Sequence, residues 1–316
     1  MATHVPRRLI GRDRHSAQML RHLVEAAGGQ VRVVLLCGEP GIGKTSLLDT
    51  AANQAREAGA MVLRGGAVDA DGMPPYLPFL EALGQYLKLV PREELRAKAG
   101  SQVAMLGTIL PELTVLLPNS PANYPLPPEQ ARLRLFQAVG DLLGAIAASQ
   151  PLVLILDDLQ WADPASFDLL CFLARDQLHA RILVLGAYRA GEGAQNPSLE
   201  RALAELTRLR VLSTIAVDPL VDDEIADLAG VQLGAPLTVA ARDTLVQQSE
   251  GNPFFAEELL RLWEDNGALT AISDSLVGRR FDLTDAQRLT LPTTIITAVR
   301  QRLCRLPDET VDLLRT

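Results

Sequence analysis

The chain has 316 residues, of which 48% are hydrophobic and 22% charged, and its formal net charge is −8. This composition is typical of a folded globular protein and excludes a disordered one, while the length favours two domains. The negative balance argues against a surface that binds nucleic acid over its whole extent.

The N-terminal stretch MATHVPRRLIGRD carries charge and lacks the apolar core of a secretory signal. Residues 138–156 come nearest to a membrane span, but Asp141, Gln150 and Pro151 interrupt them, which favours a helix, a turn and a strand. The three cysteines are far apart, which suits a reducing compartment and predicts neither a disulfide framework nor a zinc site. We therefore expect a cytoplasmic protein with no membrane partner.

Apolar, β-branched runs alternate with helical periodicity along the first two thirds of the chain. The runs that predict strands are 31–37, 61–67, 151–158, 180–189 and 210–217. Strands that alternate with helices indicate a three-layer α/β domain with a parallel sheet, here over residues 1–218. The proline-rich residues 70–128 interrupt this alternation and are interpreted as an insertion.

The last third of the chain has a different pattern. Helical segments with caps and glycine stops predict a small helical domain over residues 219–275. Residues 268–291 show little periodicity, so that 276–316 is interpreted as a linker and the beginning of a further helical unit, which the sequence does not complete.

A glycine-rich loop joins the first predicted strand to the next helix. Gly38, Gly43, Lys44 and Thr45 fit the pattern G-x-x-x-x-G-K-T, in which backbone N–H groups surround a phosphate and the lysine adds a charge. The N-terminal end of the following helix favours the same anion. The alternative, a tight strand-to-helix turn, has no use for the lysine. Residues expected to contact the nucleotide are Glu39, Pro40, Gly41, Ile42, Gly43, Lys44, Thr45 and Ser46.

The run VLILDD places two carboxylates at the end of the third predicted strand. Asp157 is expected to hold Mg²⁺ together with the Thr45 hydroxyl, as a Walker B aspartate does. Asp158 is the candidate general base that orients the attacking water. The alternative for either aspartate is a solvated strand end or a helix cap, whereas Asp163, which precedes Pro164, is expected to cap the next helix.

Arg189 ends the fourth predicted strand. In a parallel sheet the carboxyl ends of the strands face the ligand crevice, so this arginine is a candidate contact for the γ-phosphate. The alternative is an ordinary surface arginine.

These motifs together resemble one family. The stretches LIGRD, GEPGIGKT, LILDDLQWAD, LGAYR and EGNPFFAEELLR occur in the order seen in STAND-class AAA+ ATPases, and resemble the ATPase module of large ATP-binding LuxR-type transcriptional regulators. The resemblance implies a P-loop NTPase fold with a C-terminal helical lid, ATP or ADP with Mg²⁺ as cofactors, and VRQRLCRL, residues 299–306, as the start of a truncated winged helix. It places Gly11 and Arg12 near adenine and ribose, makes Arg189 a γ-phosphate sensor, and packs Pro253 of the GNP motif on the base. For GNP, a plain helix start is the alternative.

The resemblance further implies a signalling switch that rests with ADP, becomes active with ATP and then self-associates. Sensor and effector domains would lie outside this chain, and this part would not bind nucleic acid directly. Asp158 stands where AAA+ motors usually have glutamate, which favours slow hydrolysis. The alternatives from other classes are a phosphotransfer enzyme and a DNA-loading AAA+ ATPase.

Overall fold

The computed structural model describes residues 9–284, except for positions 71, 119–125, 178, 192–195 and 275–277. The chain divides into two compact units. Arg14–Glu39 and Lys44–Val217 belong to the first unit. Of the described residues, the second unit contains Pro40–Gly43, residues 9–13 and the described residues between 218 and 284. Residues 40–43 of the phosphate loop identified in the sequence thus belong to the second unit, and Lys44 begins the next stretch of the first.

The first unit is built on a five-stranded parallel sheet, which confirms the α/β prediction. Its strands are β1 Arg32–Gly38, β2 Met61–Gly66, β3 Leu152–Asp157, β4 Ile182–Arg189 and β5 Leu212–Ala216. They lie in the order β2-β3-β4-β1-β5. All six residues of β3 are buried, because helices cover both faces of a parallel sheet and leave no polar face to alternate with.

The helices of the first unit separate the strands along the chain. They are α1 Asp13–Ala27, α2 Lys44–Glu57, α3 Leu77–Leu89, α4 Arg92–Ala99, α5 Val103–Leu106, α6 Pro111–Leu116, α7 Pro128–Ser149, α8 Pro164–Asp176 and α9 Pro197–Arg208. The segment interpreted as an insertion supplies α3 to α6. Its residues Phe79, Leu83 and Tyr86 are buried in the same apolar cluster as Val33 and Leu35 of β1, so the segment completes the core of this unit.

The second unit is mainly helical and contains α10 Asp222–Leu233, α11 Val239–Ser249 and α12 Pro253–Asp265. Its core is centred on Trp263, which is fully buried, with Ile225, Leu245 and Leu259 around it. In the described part of the chain, no helix combines the length with the apolar character that crossing a membrane requires.

An antiparallel hairpin follows α12 where the sequence pattern predicts a linker. It consists of β6 Leu269–Asp274 and β7 Gly278–Leu283. Leu283 is buried and Phe281 packs against the core of the second unit, so the linker prediction is wrong over these residues. Neither LTAISD nor GRRFDL alternates strictly between apolar and polar residues, so the sequence lacks the period-two pattern of a strand. The predicted winged-helix start at 299–306 lies outside the described residues.

Candidate functional site

The carboxyl ends of the central strands bring the predicted chemical groups to one edge of the sheet. In the register of β1 with β4, Gly38 lies beside Arg189. Strand β3 pairs with β4 on the side of β4 that faces away from β1. Strand β3 ends at Asp157, which lies beside Gly66 of β2. In an open α/β sheet this edge is where ligands bind.

Within the second unit, side chains and one backbone N–H hold three successive carbonyls of the phosphate loop. Asn252 Nδ2 donates to the Pro40 oxygen at 2.9 Å, and the Phe254 N–H donates to the Gly41 oxygen at 3.3 Å. Arg12 Nη2 donates to the Ile42 oxygen at 2.9 Å. In a trans peptide the C=O and the next N–H point in opposite directions, so these bonds turn the following N–H groups away from the three donors. An anion-binding nest needs successive N–H groups that are held in this way.

Two glycines give this loop its shape. Gly41 has φ +78° and Gly43 has φ +100°, which are left-handed conformations that favour glycine. A Cβ at Gly41 would also approach Phe254 Cβ to 2.9 Å. The loop therefore requires glycine at both positions.

Arg12 is buried, with 4% of its surface exposed, and donates to a second backbone oxygen, that of Asp218, at 2.7 Å. Burial lowers the pKa of its guanidinium, while the nearby charges of Glu224 and Asp218 act in the opposite direction. Gly11 has φ +68° and packs against the Glu224 carboxylate. The structure thus gives Arg12 a role in holding the loop, and contact of Gly11 and Arg12 with adenine or ribose stays a prediction.

The GNP motif begins helix α12. The Asn252 side chain accepts the Phe254 N–H at 3.2 Å and so caps the helix, while Pro253 occupies its first turn. Asn252 is 4% exposed. The helix-start interpretation of this motif is correct, and contact of Pro253 with the base stays a prediction.

In the first unit, Lys44 lies against the loop that precedes it. Its Nζ donates to the backbone oxygens of Gly38 and Glu39, both at 2.8 Å. Burial lowers the pKa of Lys44, and the charge of Arg189 lowers it further, while Asp158 opposes both. A phosphate would offer this ammonium a stronger, charge-assisted acceptor than the two carbonyls. Glu39, Thr45 and Ser46 are exposed.

The predicted metal pair is brought together. Thr45 Oγ1 donates to Asp157 Oδ2 at 3.1 Å, and Asp157 Oδ1 accepts the Asp158 N–H at 3.0 Å. A hydroxyl and a carboxylate in contact are hard oxygen donors, and such a pair fits Mg²⁺, which takes few protein ligands beside phosphate and water. Arg64 of β2, which sequence reasoning missed, donates from Nη2 to Asp157 Oδ2 at 2.8 Å and pairs with Asp49 through Nη1. The only sequence feature that indicates Arg64 is its positive charge in an otherwise apolar strand.

A second residue missed from the sequence, Gln160, connects Asp158 to Arg189. Gln160 Nε2 donates to Asp158 Oδ1 at 2.9 Å, and its Oε1 accepts the Arg189 N–H at 3.1 Å. The Arg189 guanidinium stacks on the Trp161 ring at 4.4 Å. Stacking uses the face of a guanidinium and leaves its geometry for in-plane donation intact. Asp163 caps α8 by accepting the Ser166 N–H, as predicted.

Comparison with known proteins gives one family. The sequence model of the AAA ATPase domain matches residues 8–185. A curated relative, hybrid signal transduction histidine kinase G of Dictyostelium discoideum, is 26% identical over 181 residues, which are 54% of this chain and 5% of that protein. The chain thus spans a small fraction of that relative's length.

Solved structures with the same fold include a Walker-type ATPase of Pyrococcus abyssi, with a TM-score of 0.50 and 16% identity over 83% of this chain and 70% of that one. AMPPCP-bound DnaA from Aquifex aeolicus has a TM-score of 0.45 and 17% identity over 81% and 62% of the two chains. At these identities the first likeness concerns the fold, and the second is too distant to support an argument.

Proposed function

Because this chain belongs to the AAA ATPase domain family, we propose that it is a STAND-type regulatory switch, which binds ADP at rest and ATP with Mg²⁺ when active and hydrolyses ATP slowly. In this proposal it serves a larger signalling protein, in keeping with the LuxR-type resemblance, and self-associates in the ATP state. The family supports nucleotide binding by an ATPase domain, and the regulatory role is our inference from the site.

The observation that carries the proposal is the connection from Asp158 through Gln160 to Arg189. The buried Gln160 amide binds both residues. It donates to the carboxylate of Asp158, which would orient water, and it accepts from the backbone N–H of Arg189, whose side chain would meet the γ-phosphate. Trp161 holds the guanidinium by stacking. A charge fixed in this way can distinguish ATP from ADP without a large rearrangement of its own, which is what a switch requires.

The chain's own residues would act as follows. Lys44 would exchange the Gly38 and Glu39 carbonyls for phosphate oxygens, and the N–H groups of the loop would donate to the same phosphates. Thr45 and Asp157 would hold Mg²⁺, which neutralises phosphate charge when bound. Asp158 would orient the water. The hydrogen bond from Gln160 Nε2 fixes the orientation of the Asp158 carboxylate.

The test compares ATP and ADP affinity by calorimetry in Arg189→Ala. If the guanidinium donates to the γ-phosphate, the affinity for ATP falls by about 10- to 150-fold, which is the effect of losing a charge-assisted hydrogen bond. The affinity for ADP hardly changes. Arg208→Ala is the matched control, because this arginine lies exposed near the end of α9. Loss of both nucleotides together with a lower melting temperature would show a structural arginine, and no change in either would show a surface one. Both outcomes contradict the proposal.

The two alternatives from the sequence can be tested on the same protein. A phosphotransfer enzyme would label an acceptor in a substrate screen, and a DNA-loading ATPase would shift nucleic acid in a nucleotide-dependent way. The switch predicts neither result. It predicts instead a larger mass in solution with ATP than with ADP.

A further inference from the structure

Arg64 lies where the proposed magnesium ligand needs a free oxygen. Asp157 Oδ2 already accepts two hydrogen bonds, from Arg64 Nη2 at 2.8 Å and from Thr45 Oγ1 at 3.1 Å. A carboxylate oxygen has two lone-pair sites, so this oxygen is fully used, and Oδ1 is engaged by the Asp158 N–H. A metal that approaches Asp157 through Oδ2 must therefore displace a donor.

Arg64 also has a second anionic partner. Its Nη1 pairs with Asp49 on α2, and the Asp49 side chain is 55% exposed against 12% for Asp157. The Arg64 side chain itself is 32% exposed, so part of the guanidinium is already in water. The arginine can leave Asp157 and stay paired with Asp49, which avoids stranding its charge without a partner.

We propose that Arg64 is an internal counter-cation for Asp157: it occupies Oδ2 in the metal-free site, and it retreats onto Asp49 when Mg²⁺ takes that oxygen. This inference rests on the proposed function, since it assumes that nucleotide and Mg²⁺ bind at this site.

Two physical effects determine whether Arg64 strengthens or weakens Mg²⁺ binding. The arginine competes with the metal for one oxygen, and its positive charge repels a divalent cation nearby, so both effects weaken Mg²⁺ binding. Asp49 works in the opposite direction, because it offers the guanidinium an alternative anion. Arg64 thereby stabilises the site without metal and raises the Mg²⁺ concentration that the loaded site requires.

The experiment measures the Mg²⁺ midpoint, the concentration of Mg²⁺ that half-saturates the metal-dependent change in affinity for a fluorescent ADP analogue. We expect Arg64→Met to lower this midpoint about tenfold, the size of one charge-assisted hydrogen bond. Asp49→Ala should raise it roughly two- to fivefold, because an exposed ion pair is weak. Arg56→Met, which removes an exposed arginine near the end of α2, is the control for loss of one positive charge and should leave the midpoint unchanged.

The double variant Arg64→Met/Asp49→Ala shows whether Asp49 acts through Arg64 or through its own charge alone. If Asp49 acts through Arg64, adding Asp49→Ala to Arg64→Met leaves the midpoint within about twofold. A midpoint that stays constant or rises in Arg64→Met overturns the proposal, because the arginine would then be a bystander or a support for the metal ligand. Should Arg64→Met fail to fold, Arg64→Lys tests the same point, with a midpoint between those of the parent and the expected methionine variant. A lysine midpoint equal to or above the parent's counts against the proposal.

Affinity for the ADP analogue in chelator separates this inference from the proposed function. A parent protein that binds no nucleotide with or without Mg²⁺ contradicts the proposed function itself. A parent that binds nucleotide, with variants that leave the Mg²⁺ midpoint unmoved, contradicts only the role of Arg64.

Discussion

The two units hold neighbouring parts of one phosphate loop by different chemistry. In the first unit, Thr45 joins a cluster of charged groups, with Asp157 bound to Arg64. In the second, Arg12 and Asn252 donate to neutral backbone oxygens of the loop. The charged cluster around Asp157 can respond to metal and salt, whereas the bonds from Arg12 and Asn252 fix the backbone of the loop. In the proposed function, the charged groups of the first unit sense the ligand, and the donors of the second unit shape the loop.

Burial supports the same distinction. Arg12 and Asn252 are each 4% exposed, so moving either would leave a buried polar group without its partner. The Arg64 side chain is 32% exposed and already divides its donors between two aspartates. The arginine that changes partner in our proposal is thus partly solvated, whereas the two side chains that fix the backbone of the loop are enclosed.

The largest effect is expected from Lys44→Ala. Lys44 provides the main point charge for the phosphates, and only backbone donors remain without it. Calorimetry should show no measurable binding of either ATP or ADP, while Lys88→Ala, at an exposed position near the end of α3, binds as the parent does. ATP affinity within about threefold of the parent, well under 1 kcal/mol, would show that the loop is no phosphate site.

Arg12→Met tests the shaping role of the second unit. Two backbone oxygens lose their donor, that of Ile42 and that of Asp218, so unfolding should become easier by about 1–3 kcal/mol. The affinities for ATP and ADP should fall by the same factor, because the conformation of the loop changes for both nucleotides. Denaturant melts and calorimetry measure the two effects, with the exposed Arg14→Met as the control. Selective loss of one nucleotide would place Arg12 among the sensing groups and break the comparison.

Asn252→Ser gives the smallest expected change and sharpens the comparison. Serine still caps α12 but is too short to reach the Pro40 oxygen, so stability should fall by about 1 kcal/mol, the net contribution of one neutral hydrogen bond. Both nucleotides should weaken about fivefold, the effect of one neutral hydrogen bond. Unchanged affinities in calorimetry would show that Asn252 acts only as a helix cap.

Much of the fold follows from local sequence pattern. The five strands and the helix after the glycine loop are correctly predicted, because each depends on residues a few positions apart along the chain. The cap at Asp163 and the contact of Thr45 with Asp157 follow from motif chemistry in the same way. The hairpin β6–β7 is missed because its apolar side chains meet the core of the second unit only after folding.

The sequence by itself determined the parallel sheet, the phosphate loop and the carboxylate at the end of β3, since short-range periodicity and fixed spacing encode them. Only the tertiary structure showed which partners those groups have. Asn252 reaches Pro40 across 212 positions, and Arg12 reaches Asp218 across 206. Arg64 meets Asp157 because β2 lies beside β3 in the sheet, although 93 positions separate the two residues. No local pattern contains such pairs, because strand order and packing, rather than neighbouring residues, decide which side chains come within hydrogen-bonding distance.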